Sequence, residues 1–329
     1  MKNLVVVFCA WAALTVSARA GLQAGVLAEA MGGAGVSFAG QCSLGVLNGE
    51  AKEHVFDNDV DSGSRYQVSR LDWDLKDVVV GGGNVSVRPF KGDPTLGALT
   101  LNAGGWMALT EGGGEMEDYD WLLPDSPQWT HYSLSEVDVS EGYVVDANAA
   151  WDFWRRPDMA VRGMVGYKQD GWSWEDRVVY LQYVDEGYLR NYDYEGENGI
   201  NYEQEFRMPY VGASADFASG PFTLSARLVY SWLVSATDWD EHVMTATSYK
   251  ETFEDGEMLG LGVEVRYDFT RGGLQGAFVS AALDWQQIDL IVGDMEYRDS
   301  STGEIGGGED IAGVENEYLA LSLGVGMRF

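Results

Sequence analysis

Cysteine is nearly missing from this chain: Cys9 and Cys42 are the two that occur in 329 residues. Cys9 falls in the mostly apolar run 4–16, which follows Lys2 and leads into Ala18-Arg19-Ala20. A basic start, a short apolar core and a small-x-small exit predict a secretory signal peptide at 1–20, cut after Ala20 and too short to span a bilayer. The mature chain then keeps Cys42 alone, so no internal disulfide can form, and a secreted fold of this size must draw its stability from elsewhere. Positive charge is also scarce. Losing the first 20 residues, with Lys2 and Arg19, leaves 309 residues with 19 basic side chains against 52 acids, a formal net charge of −33. With no basic patch, nucleic acid is excluded as a partner. Past the leader, no stretch approaches the roughly 18 apolar residues of a transmembrane helix. What remains is a soluble secreted protein or a membrane barrel, whose alternating strands give a weak hydropathy signal.

What the chain does have is a period of two. At its end Leu319, Leu321, Leu323, Val325, Met327 and Phe329 alternate with Ala320, Ser322, Gly324, Gly326 and Arg328. An apolar-out, polar-in strand of about ten residues is what a lipid-facing barrel requires, and a terminal Phe there resembles the last strand of outer-membrane barrels. Similar rows start at Leu99, Val145, Phe222 and Leu259, the last carrying Glu264 and Arg266 on the face that would meet a lumen. Short turns at 91–95, 155–158, 219–221 and 271–273 alternate with long acidic stretches at 56–64, 122–142, 185–200, 244–256 and 291–314. This rhythm predicts an all-β fold: a transmembrane up-and-down antiparallel β-barrel of about ten strands, one domain over 21–329, both termini on the short-turn side and long acidic loops on the extracellular side. A barrel of this size is expected to be filled by its own side chains and not to form a wide pore.

Two acidic constellations fall near the predicted outer rim. Asp238, Asp240 and His242 stand at i, i+2 and i+4, one face of a strand, and His242 is the one histidine of three set in such a row. Asp118 and Asp120 repeat the spacing. Two acids on one face could bind a metal, work as an acid–base couple, or belong to a solvated loop, and the residues alone leave these readings open.

The residues also resemble a known family. Ser43-Leu44-Gly45 with Lys52-Glu53-His54-Val55, then Val68-Ser69-Arg70-Leu71-Asp72-Trp73, Gly113-Gly114-Glu115-Met116-Glu117-Asp118-Tyr119-Asp120-Trp121, Phe206-Arg207-Met208-Pro209-Tyr210-Val211-Gly212 and Asp238-Trp239-Asp240-Glu241-His242 follow one another as in the omptins, ten-stranded outer-membrane endopeptidases. The resemblance covers about 43–329. It implies that Asp240 orients His242, that His242 deprotonates a water, and that Asp118 and Asp120 position that water from across a groove. Glu53 and Asp238 would form an acidic pocket for Arg or Lys before the cut bond, lined by Met116. No acyl-enzyme, metal or other cofactor is implied, and Ser133 is a supporting residue only. Two departures stand out. The acid expected after Trp129-Thr130 is replaced by His131 and Tyr132, and Gly171 and Ala218 stand, with Tyr167 nearby, where lipopolysaccharide-binding arginines would be expected. A lipopolysaccharide requirement is therefore in doubt.

The expected partners are cationic peptides or proteins and outer-membrane lipid, with the chain acting as a monomer. An acidic mouth would attract cationic peptides, but acidic loops would equally keep a surface protein soluble or suit a saline habitat. Three function classes stay open: a protease, a catalytically idle barrel serving as adhesin or structural protein, and a cation-favouring porin, which a narrow lumen disfavours. One difficulty is internal to the barrel reading. Even positions from Phe222 to Val234 face lipid, yet Asp238, Asp240 and His242 are even as well, so a register change is expected around 235–237, such as a β-bulge.

Overall fold

The computed structural model describes residues 35–58, 65–122, 128–185 and 188–329. The expected leader at 1–20 and the Ala/Gly-rich stretch that follows it to 34 lie outside the described residues. Within them the chain is all-β. Its strands are β1 (Ser37–Asn58), β2 (Arg65–Arg88), β3 (Leu99–Ala108), β4 (Glu115–Asp120), β5 (His131–Arg155), β6 (Met159–Asp185), β7 (Tyr188–Tyr192), β8 (Ile200–Ser219), β9 (Phe222–His242), β10 (Thr247–Asp268), β11 (Ala277–Asp299) and β12 (Ile305–Arg328). Every pairing is antiparallel, and β1 closes on β12 from Ala39↔Arg328 to Val55↔Ala312. β3 and β4 occupy one place in the ring, each between β2 and β5, while β7 is a short arm on the upper end of β6. The twelve segments thus make about ten staves, as the turn rhythm predicted.

Exposed apolar side chains mark the lipid-facing band. On β12 they run Leu319, Leu321, Leu323 and Val325, and on β10 Leu259, Leu261, Val263 and Val265. The staves continue well past this band: β5 has 25 residues and β6 has 27, against the ten or so that cross the lipid. The stretches 122–142, 185–200, 244–256 and 291–314 are expected to be loop, but β5 already runs from His131, β7 covers Tyr188–Tyr192, β10 starts at Thr247, β11 reaches Asp299 and β12 starts at Ile305, so most of 122–142, 244–256 and 291–314 and part of 185–200 is strand. Above the lipid the outward face meets water, so polar residues alternate outward and buried Ser133, Ser135, Val137 and Val139 point in. The backbone still pairs, but the apolar-out signal is gone.

The expected parity break exists, though not at 235–237. Trp232 and Leu233 are both half exposed, after which Val234, Ala236, Asp238 and Asp240 are all buried. The pairing of β8 with β9 steps from Val211↔Tyr230 to Arg207↔Ser235, so β9 holds one residue more than its partner. Opposite lies Pro209, which has no N–H to give the ladder. Ser231 Oγ donates to the Pro209 carbonyl at 2.6 Å and accepts from the Leu233 N–H at 3.2 Å. This bulge turns the acid–histidine row inward. Val234 is accordingly a core residue and not a lipid-facing one.

The barrel interior is filled. Toward the rim, Trp73, Trp172, Trp174 and Tyr202 pack with Leu71 and Met116, beside a second cluster built on Phe206, Met208, Phe253 and Ile288. Lower down, Lys168 Nζ donates to Gln286 Oε1 at 2.5 Å and to the Tyr318 hydroxyl at 2.6 Å, while Gln286 Nε2 donates to Asp170 Oδ2 at 2.6 Å. These groups come from β6, β11 and β12 and meet across the lumen. Cavities of about 210 Å³ in mid-barrel and about 800 Å³ at the short-turn end remain.

Candidate active site

Three staves, β5, β6 and β8, lie between β4 and β9 on one side of the ring and five on the other, so Asp118 and Asp120 stand on the wall facing Asp240 and His242. On β9, His242 Nε2 lies 2.7 Å from Asp240 Oδ2. Asp240 is buried, and the imidazole is half-buried with Tyr249 of β10 against it, ring centroids 5.1 Å apart. With Nε2–H donated to the carboxylate, Nδ1 is the nitrogen whose lone pair can take a proton. Burial of the ring lowers its pKa, but the Asp240 carboxylate and its hydrogen bond outweigh this, helped by Asp118 and Asp120, and raise it to about 9.

On the facing wall Asp118 is paired across the strands with Ser133 and Asp120 with His131. Directly opposite residues share a face. Ser69 Oγ donates to Asp118 Oδ1 at 3.4 Å and Ser133 Oγ to Asp118 Oδ2 at 3.3 Å. Burial, then the charge of Asp120, pushes the Asp118 carboxyl up to about 8, against the pull of His242 and Ser133. Burial also raises Asp120, opposed by Ser69, His131 and His242. Ser133 is thus a donor that holds an acid. His131 packs against Tyr183 in a tilted arrangement, ring centroids 4.5 Å apart, and its Nδ1 lies 3.0 Å from Thr130 Oγ1.

Beneath these groups is a buried acidic floor. Glu53 of β1 and Asp238 of β9 are 2 % and 1 % exposed, with Met116 of β4 also buried. The Tyr202 hydroxyl donates to Asp238 Oδ2 at 3.0 Å and accepts from Gln204 Nε2 at 2.8 Å. A third acid, Glu251 of β10, sits directly opposite Asp238 and is 0 % exposed. Sequence reasoning missed it because it fell in a stretch taken for loop. The signal was there: Tyr249, Glu251 and Phe253 alternate with exposed Ser248, Lys250 and Thr252. Burial, then Asp240, Asp238 and Asp118, lifts Glu53 well above the carboxylate range. Burial likewise pushes Asp238 to about 8, against the Tyr202 hydroxyl, and lifts Glu251 beside Asp238 and Glu53.

All seven residues singled out from sequence, Glu53, Met116, Asp118, Asp120, Asp238, Asp240 and His242, therefore meet at the end of the barrel away from the short turns. The outer-wall positions do not assemble in this way. Tyr167 and Gly171 lie on β6, where the Tyr143 ring fills the space a side chain at Gly171 would need. Tyr167 pairs with Pro209, whereas Ala218 is nine residues further down β8, beside the short turn. At about 3.3 Å per residue they are some 30 Å apart and share no patch.

Fold and rim together define a class: a closed antiparallel membrane-type β-barrel that carries an acid–histidine pair, a facing acid pair and a buried acidic floor at one mouth. The Omptin family profile matches residues 35–329, and the chain belongs to that family. Among its relatives, the plasminogen activator of Yersinia pestis is 29% identical over 295 residues, covering 89% of this chain and 90% of that protein. The outer membrane protease OmpP of Escherichia coli K12 is 27% identical over 301 residues, covering 88% and 89%. The crystal structure of the outer membrane protease OmpT from Escherichia coli superposes with a TM-score of 0.79 at 24% identity, covering 89% of this chain and 97% of that one, and has the same fold.

Proposed function

We propose that this protein is an outer-membrane endopeptidase whose groove opens to the cell exterior and which hydrolyses peptide bonds that follow arginine or lysine. The names of its relatives support proteolysis in the outer membrane. The observation that carries the water-activating role is the 2.7 Å contact between His242 and Asp240, facing two acids across a groove. A water between the walls gives a proton to His242 Nδ1 as its oxygen attacks the scissile carbonyl, and Asp240 stabilises the imidazolium that forms. The imidazolium returns the proton to the departing amine, so one water is consumed and no covalent enzyme intermediate arises. Asp118 and Asp120, set where one proton is readily shared between two half-buried acids, hold the water and the developing oxyanion. Glu53 and Asp238 receive the basic side chain.

The test is a purified, refolded barrel mixed with a fluorogenic peptide containing Arg-Arg. Cleavage is expected, and His242→Ala should abolish it. Absence of cleavage, or cleavage that survives the substitution, overturns the reading in favour of an idle adhesin or structural barrel.

A further inference from the structure

Glu251 has no part in the water chemistry proposed above, yet it is among the most deeply buried charged residues of the rim. Neither of its carboxylate oxygens meets a donor among the described residues, and Glu53 Oε2 and Asp238 Oδ1 are orphaned beside it. A buried carboxylate without a partner is costly, and three in contact cannot all ionise without a cation. Asp238 and Glu251 face each other directly and burial raises both, so one proton shared between the two carboxyls can offset part of that cost. A guest that replaces that proton must bring positive charge and enough donors to satisfy the oxygens it uncovers.

Counting donors separates the two basic side chains. Four orphan oxygens line the floor: one from Glu53, one from Asp238 and two from Glu251. A lysine ammonium carries three N–H donors, and an arginine guanidinium carries five in a fixed planar fork. An ammonium therefore leaves at least one buried oxygen unmet, and an unmet buried acceptor costs about 1–3 kcal/mol or more for a charged group. Without Glu251 two orphan oxygens remain, which either cation can satisfy. We infer that Glu251 is a specificity-determining residue that makes this pocket select arginine over lysine before the cut bond. The inference rests on the endopeptidase reading and adds to it a residue and a ranking of substrates.

The experiment uses two quenched fluorescent peptides that differ only in Arg or Lys before the bond, with full-length wild type and Glu251→Gln, both checked for folding by heat-modifiable gel mobility. The Gln variant preserves side-chain volume and a hydrogen bond to Asp238, so a purely structural role for Glu251 would leave the Arg/Lys ratio unchanged. Wild type is expected to favour Arg in kcat/KM by about tenfold or more, mostly through KM, and the variant to bring the ratio to about twofold or less, the change expected for one lost charged acceptor. A wild type indifferent to Arg and Lys, or a ratio unmoved in the variant, overturns the inference while leaving the endopeptidase reading intact. Wild type that cuts neither peptide overturns both. Should the variant fail to fold, competitive inhibition of wild type decides: arginine amide is expected to inhibit at lower concentration than lysine amide, and equal inhibition overturns the assignment.

Discussion

His242 is held with Nε2 on a buried carboxylate and is raised to about 9, so in the resting enzyme near neutral pH its ring is mostly imidazolium. A base must be neutral to work. The value of kcat/KM is therefore expected to climb with pH toward about 9, reporting the coupled rim groups rather than one residue. Asp240→Asn removes the largest upward influence on the ring, so the climb should shift to lower pH while the plateau drops by about 10²–10⁴-fold. Asp118→Ala and Asp120→Ala should each cost orders of magnitude in rate without loss of heat-modifiable mobility; a folding defect would instead give them a structural role. The same shifts bear on stability. The folded value of His242 lies above the 6.5 of a free imidazole, so its contribution is complete below about 6.5 and lost as pH rises through 9. Asp118 and Asp238 are raised from 3.8 to about 8, so theirs is complete below 3.8 and lost by about 8. All three point the same way: limited proteolysis of the rim strands should be faster at pH 9 than at pH 6, and equal rates would contradict the assignment.

At the scale of one strand, β9 serves two solvents. Below Trp232 its even residues face lipid, and above Leu233 its even residues face the groove. Ser231, bonded to the Pro209 carbonyl and to the Leu233 N–H, secures the extra residue. Ser231→Ala leaves both groups unmet and is expected to cost about 1–3 kcal/mol of stability. Activity should fall with it, since the dyad lies farther along the same strand; a thermal midpoint and kcat measured on one preparation check both. The need for a parity break was legible in the sequence, because lipid-facing Phe222 and Leu224 share parity with Asp238 and His242. Its position was not, because Val234 suits lipid and core equally and nothing but packing tells them apart. Glu251 was hidden for a related reason. In the water-facing part of β10 an outward Lys250 and an inward Glu251 are both charged, and hydropathy alternation vanishes where the two faces are polar for different purposes. Asp118, Asp120, Asp240 and His242 were readable because their spacing and the motif around them survive without any knowledge of burial.

For the molecule as a whole, 52 acids stand against 21 basic residues, and the mouth itself holds buried carboxylates. Long-range attraction of this kind acts on encounter and is screened within about 8–10 Å at physiological salt. Raising ionic strength from about 10 to 150 mM should therefore lower kcat/KM for an Arg-containing cationic peptide several-fold and leave kcat nearly unchanged; a salt-independent kcat/KM would assign the acids to solubility alone. The fold class, stave number and rim placement follow from alternation and turn rhythm, whereas the height of the barrel above the lipid does not, since no lipid enforces a pattern there. Last, the hydrogen-bonded cluster of Lys168, Asp170, Gln286 and Tyr318 reaches across the lumen beneath the groove. On the endopeptidase reading proposed above, fragments released at the mouth would meet this cluster in place of an open path down the barrel, so cutting would be separate from transport.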